Sequence, residues 1–302
     1  KMRNKDMKLK LLVGLIVLAI SALYPLSSLS KSDDKDSSVT LTASNLIVLN
    51  GEVNGENVAA VISKAKELCN AAKGGVTNKA AKKMGLGSET RLKLFLYTPG
   101  GSIQAGLELD EALNGLGCPV DTVTLFAASM GWQIAQNLGE RLILKNGVMM
   151  SHHASGQESG EFGGSVRTQM ENRQQLWLDR VRELDEQTVK RTNGKQTYES
   201  YTKEYDHEMW LTGTRSVAEG YSDRVVTMNC DASLNGVDTH TISFMGIPVM
   251  YDLDKCPINT SPMNISVGTP DGKLTAEMSN LVKEKFLIDY TNKAKQVIPM
   301  YW

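Results

Sequence analysis

Hydrophobic and polar positions follow two periods along this chain. "NLIVLNGEV" (45–53) is an apolar run that ends in a turn, and it predicts a strand. Over 56–72, Val58, Val61, Ile62, Ala65 and Leu68 recur at helical spacing and predict an amphipathic helix. A basic, Gly-rich loop follows at 73–89. "RLKLFLYTP" (91–99) predicts a second strand, with a helix over roughly 102–116. "PVDTVTLFAAS" (119–129) predicts a third strand and "SMGWQIAQNLG" (129–139) a helix, while "RLILKNGVMMSHH" (141–153) reads as two short strands about a turn. Strand and helix in this alternation imply an α/β unit with parallel pairing.

A flexible Gly-rich stretch (154–165) leads into the longest predicted helix, 166–194, with Met170, Trp177, Val181 and Leu184 on one face and Gly194 as its stop. A short helix (197–205) and a helix stub turning into a strand (216–226) follow. From Met228 the character changes: 240–254 reads as strands and 275–296 as a last helix. There is no internal repeat.

The N-terminus breaks the pattern. "KMRNKDMKLK" carries five basic residues and one acid, and "LLVGLIVLAISAL" (11–23) follows without a charge. A basic start, a short apolar core and a small polar end describe a secretory signal; counted on to Leu29, the run also suits an uncleaved membrane anchor. Either reading exports the body of the chain. Residues 30–45 read as a polar linker. The remaining composition is that of a soluble globular protein, 41% hydrophobic and 22% charged, and a net charge of −1 gives no basic surplus for nucleic acid. The four cysteines lack metal-ligand spacing, so neither zinc nor another metal is expected; Cys230 and Cys256 bracket a strand-rich segment and are either a pair or two buried thiols.

Candidate chemistry lies in four stretches. "LFLYTPGGSIQAG" (94–106) ends a strand in two glycines, whose bare N–H groups are either a plain turn or a functional part. In "TLFAASMGWQIA" (124–135), Ser129 sits where a strand becomes a helix; a helix cap is the commoner role there, and a nucleophile beside free N–H groups is the sharper one. "VMMSHHASG" (148–156) puts His152 and His153 at a strand end, either solvated or as a base beside a cleft. "EYDHEMWLT" (204–212) supplies Asp206 and Glu208, either a charged helix end or an acid that orients an imidazole.

In this order, the stretches resemble the proteolytic subunit of the Clp protease family, over about residues 45–227. "LYTPGGSIQAGLELDEAL" is similar to that family's strand–turn–helix with a Ser-Pro-Gly-Gly signature, here with Thr98 in the Ser position. "AASMGWQIAQNLGERLILKNGVMMSHH" is similar to its Ala-Ser-Met-Gly block and the following strand. "WLTGTRSVAEGYSDRV" is similar to its closing block, Phe-Leu-Ser, an acidic helix and Gly-Leu-x-Asp.

The resemblance implies a serine peptidase of the crotonase-like β/β/α spiral fold, in the α/β class, with a long handle helix (166–194); residues 228–302 have no counterpart in the family and read as an additional C-terminal α+β extension. With the N-terminal reading, which departs from the family, the expected order is a leader or anchor at 1–30, a linker at 31–44, the peptidase domain at 45–227 and an extension of unassigned role at 228–302. Ser129 falls on the nucleophile and His152 on the general base, with His153 in its place if the strand slips by one. Glu208 falls on the acid, with Asp206 as the alternative. Gly101 and Met130 N–H would hold the oxyanion, and Gly100, Ser102 and Ile103 would line an extended peptide. The implied partners are a peptide or unfolded-protein substrate and further copies in a homo-oligomeric ring, with no cofactor and no nucleic acid. Export implies independence of a cytosolic unfoldase and, with an uncleaved leader, a membrane tether. Competing readings are a signal-peptide-peptidase-like Ser–Lys enzyme (Lys145, Lys190, Lys195), acyl-CoA chemistry of the crotonase type, and a non-catalytic ring scaffold.

Overall fold

A computed structural model describes residues 37–76, 91–155, 166–268 and 275–297. The expected leader, the first six residues of the linker (31–36), and the bulk of the two Gly-rich loops lie outside the described residues. Among the described residues, no helix is long and apolar enough to cross a membrane.

Six strands form the main path of a seven-stranded sheet: β1 (Ser38–Leu41), β2 (Leu46–Asn50), β3 (Leu92–Thr98), β4 (Val120–Ala128), β5 (Arg141–Ser151) and β7 (Arg224–Cys230), in the spatial order β1-β7-β5-β4-β3-β2. All pairs along that path are parallel; β6 (Met209–Thr212) lies off it, antiparallel to β5. The helices between them are α1 (Gly55–Val76), α2 (Ile103–Gly115), α3 (Met130–Asn137), α4 (Val166–Arg191), α5 (Tyr198–Glu204) and α6 (Gly213–Glu219). The α/β class is thus as expected. Central strands such as β3 read as near-continuous apolar runs because both faces are covered. Leu92, Leu94 and Leu96 pack toward the helices, while Phe95 joins Val39, Leu41, Val123 and Met228 on the opposite face.

Three elements differ from expectation. Residues 38–41, expected within the linker, form edge strand β1, which pairs with β7 in register from Ser38–Thr227 to Leu41–Cys230. The two short strands expected over 141–153 are one strand that changes neighbours midway: 142–144 pair with β7 and 148–151 with β6. The bend falls at Gly147, where a Cβ would lie 2.6 Å from Ile143 Cγ1 and 2.7 Å from the Thr124 carbonyl oxygen. The long helix α4 is buried only near its C-terminal end, at Leu184, Asp185 and Thr188; Met170, expected on its packed face, is 49% exposed.

The C-terminal residues form a three-stranded antiparallel sheet, β8 (Val237–Phe244), β9 (Ile247–Asp254) and β10 (Met263–Val267). Helix α7 (Ala276–Val297) packs on it through Val282 and Phe286. The Cys230–Cys256 disulfide ties this extension to the end of β7, and Cys256 packs against the core cluster under β1. A second disulfide, Cys69–Cys118, joins α1 to the segment after α2.

The start of β5 is held by Arg141, whose side chain is 3% exposed. Its guanidinium donates to Asp223 Oδ1 (2.6 Å), Gln136 Oε1 (2.9 Å) and the Arg191 carbonyl (3.0 Å). Burial pushes the Asp223 carboxyl up, but hydrogen bonds from Arg141 outweigh it and hold the group below the ordinary carboxylate range. Its stabilisation is therefore complete above about pH 4 and is lost as pH falls through the depressed native value. Asp223→Ala leaves a buried guanidinium without its counter-charge and is expected to cost about 3 kcal/mol in urea denaturation at pH 7. The variant should also lack the corresponding part of the wild type's loss of stability in acid.

Candidate active site

The carboxyl ends of β3, β4 and β5 open on one cavity of about 140 Å³, with Gly101, Ile103, Ser129, Met130 and His152 in its wall. Ligand sites of parallel sheets collect at this end of the strands.

Ser129 joins β4 to α3 at φ 55° and ψ −120°. Holding a residue other than glycine there costs of order 1–3 kcal/mol, so the surroundings must impose it. They do so through the main chain: Ser129 N–H donates to the Met150 carbonyl (2.9 Å), and its carbonyl accepts from Gln133 N–H (3.3 Å). The hydroxyl makes no capping bond to α3. The commoner role for a serine at a helix start is therefore not the one seen here; the strained turn leaves the side chain in the cavity wall.

Gly100 explains how β3 and β4 can end so close together. It sits at φ +92°, and a Cβ there would lie 2.5 Å from the Ala128 carbonyl oxygen, 2.6 Å from Ser129 Cβ and 2.7 Å from Met130 N. Gly101 forms a parallel bridge with Val53. In that bridge, Val53 N–H donates to the Gly100 carbonyl and Ser102 N–H to the Val53 carbonyl, both at 2.8 Å. The flanking residues make both bonds, so the N–H and carbonyl of Gly101 face the other edge, on the cavity side. Met130 is the first residue of α3, where an N–H lacks an intrahelical partner.

Two of the expected peptide-lining residues are committed elsewhere. Ser102 uses its N–H on Val53 and its hydroxyl to cap Ala105 N–H (3.2 Å). Gly100 donates to Thr98 Oγ1 (3.1 Å) and gives its carbonyl to Val53. Only Ile103 of the three lines the cavity.

The histidines and acids pair differently from expectation. His152 lines the cavity, and among the described residues its ring has no hydrogen-bond partner. Glu208 is not brought to it. Its carboxylate accepts from Trp210 Nε1 (3.1 Å), and Glu208 itself stands just before β6, at φ 73°. The two alternatives meet each other instead: His153 Nε2 lies 3.0 Å from Asp206 Oδ1, with both side chains more than half exposed. The lysines considered for a Ser–Lys pair are absent from the cavity wall; Lys195 donates to the Val217 carbonyl (3.0 Å).

The structure adds residues that the sequence reading passed over. Asp185 and Tyr205 line the cavity, and the Tyr205 hydroxyl donates to Asp185 Oδ2 (2.5 Å). Burial pushes the Asp185 carboxyl up, opposed by the Tyr205 hydroxyl and the nearby His153. Ser151, also in the wall, shares a 2.8 Å hydrogen bond with the buried hydroxyl of Tyr201, whose phenol burial pushes up. The available signal was an acid on the apolar stripe of α4: 181, 184, 185 and 188 share one face. Among the described residues, no group of three or more His, Cys, Asp or Glu is placed to hold a metal ion.

Gly100→Ala is expected to destabilise the protein by at least about 2 kcal/mol in urea denaturation, through both its positive φ and the backbone contacts a methyl would meet. Gly55→Ala, where a Cβ meets nothing within 4 Å, is the control and should change stability by less than about 1 kcal/mol.

Comparison with known proteins bears on this geometry. A family model described as Clp protease matches residues 35–229. The ATP-dependent Clp protease proteolytic subunit of Streptococcus gordonii is 32% identical over 139 residues, which cover 45% of this chain and 68% of that one. Proteins of the same description from Streptococcus pyogenes serotype M5 and Streptococcus equi subsp. equi are 30% identical over 139 residues, with the same coverage. The matched region holds the glycine turn, Ser129, the two histidines and the sheet that carries them, and the chain belongs to the Clp protease family.

Proposed function

We propose that the protein is a serine endopeptidase that cleaves peptides or unfolded proteins, with Ser129 as nucleophile and His152 as general base. The observation that carries the reading is the conformation of Ser129, strained and uncapped at the wall of the cavity that His152 also lines. In this mechanism Ser129 Oγ attacks the scissile carbonyl as His152 takes its proton. Gly101 and Met130 N–H donate to the oxyanion, each such donor being typically worth about 3 kcal/mol of barrier. His152 then protonates the leaving amine, and water, activated in the same way, releases the acyl group. The free edge of Gly101 supports substrate pairing by strand addition. A hydrogen bond between nucleophile and base tightens when substrate arrives, so its absence from the unliganded site does not oppose the assignment.

Glu208 and Asp206 occupy a lesser place in this reading, since neither meets His152. The work is assigned to the Ser–His pair and the two N–H donors. The wide exposure of α4 toward its N-terminal end, with Leu176 65% and Leu178 53% exposed, supports packing against further copies in a ring. Both disulfides support residence in an oxidising compartment outside the cytoplasm, since all four cysteines are paired. Export in turn supports action without a cytosolic ATPase, although the relatives are described as ATP-dependent. The leader would serve as signal or tether.

Intact-mass labelling with a small fluorophosphonate tests the assignment. One adduct per wild-type chain is expected, and none on Ser129→Ala. His152→Ala should slow labelling by at least about 10²-fold. Glu208→Gln should slow it by less than tenfold, whereas amide replacement of an acid that orients the base costs about 10⁴-fold. A folded wild type that takes no adduct contradicts the proposal.

A further inference from the structure

We propose that Asp185 makes the cavity beside Ser129 selective for a basic side chain, Lys or Arg, on the substrate residue whose carbonyl is attacked. The inference rests on the serine-peptidase reading of Ser129.

The cavity, about 140 Å³, is on the scale of one side chain; sites for drug-sized ligands run from about 300 to 1,000 Å³. Its walls combine apolar and acidic groups. Ile103, Met130, Val181 and Leu184 are apolar and suit an aliphatic stem. Asp185, one residue after Leu184 on α4, presents a carboxylate in the same wall and is 5% exposed. Among the described residues, no Lys or Arg lines the cavity.

Asp185 is under-supplied for a buried acid. An ionised carboxylate offers about four acceptor positions, and among the described residues Asp185 receives one hydrogen bond, from Tyr205. The nearest compensating imidazole, His153, is held at the surface by Asp206. Buried charges are stable when paired, and here the missing partner is a cation that enters from the cavity. Tyr205 anchors Oδ2 and so fixes the carboxyl plane. Gln133 Oε1, also in the wall, accepts from Thr188 Oγ1 (3.2 Å), which holds the amide in place. Apolar walls that include one fixed acid match a side chain with a long aliphatic stem and a cationic tip. A leucine or methionine in the same position would cover the carboxylate without satisfying it, which is the physical ground for discrimination.

Two peptidyl phosphonates that differ only in this residue, one lysyl and one leucyl, test the proposal on the full chain, with the small fluorophosphonate as the check on Ser129. The wild type is expected to react with the lysyl probe at least about tenfold faster than with the leucyl probe. Asp185→Asn should reduce that rate ratio at least about tenfold, and Asp185→Glu should retain a preference for the lysyl probe. The ratio cancels any common loss of activity, and the wild-type ratio decides the matter if a variant does not fold. A wild type that prefers the leucyl probe, or an Asp185→Asn ratio equal to that of the wild type, overturns the proposal while the peptidase reading stands. A wild type that reacts with none of the three probes overturns both.

Discussion

A single close approach governs this site. The chain leaving β3 and the chain leaving β4 pass so near each other that residue 100 has no room for a Cβ, with Ala128 O, Ser129 Cβ and Met130 N all within 2.7 Å of where it would stand. That contact sets the glycine turn beside the strained serine, and the remaining elements hold it there. Val53 clamps the turn from one edge, and the Met150 carbonyl holds Ser129 from the other. The bend of β5 at Gly147 lets one strand reach both β7, where Arg141 anchors it, and β6, beside which His152 emerges. The strain at Ser129 is supported by the two strands that flank β4, β3 and β5, rather than by a capping bond of its own.

Much of this frame was legible in the chain. Strand–helix alternation exposes parallel pairing because buried parallel strands read as apolar runs, and "LFLYTPGGSIQAG" and "TLFAASMGWQIA" display the two turns that meet. What was hidden depends on distance in space. Strand β1, "SVTL", is short and half polar because it is an edge strand, and its partner is nearly 190 residues away. The bend in β5 looked like a turn because "KNG" is turn chemistry, yet pairing with β4 resumes beyond it in a shifted register. Cys69 and Cys118 carry no spacing signal; only the packing of α1 against the end of α2 brings them together.

The site divides along the same line. Ser129, Gly101, Met130, Ile103 and His152 lie on or beside strands whose order could be read, and they share a cavity. The resemblance puts Glu208 on the acid, whereas in the structure its carboxylate accepts from Trp210 Nε1, a contact that depends on the turn before β6. Asp185 escaped notice because a long polar helix contains many acids. Its difference from the others is burial, which depends on how α4 lies across the cavity.

The account's central claim is that the Gly100–Ser129 contact aims two main-chain N–H groups at one point. The most direct measurement is a crystal structure of the fluorophosphonate adduct. The account predicts phosphorus on Ser129 Oγ and the phosphoryl oxygen about 2.7–3.1 Å from both Gly101 N and Met130 N. An adduct on another side chain, or a phosphoryl oxygen turned away from those two nitrogens, would contradict it.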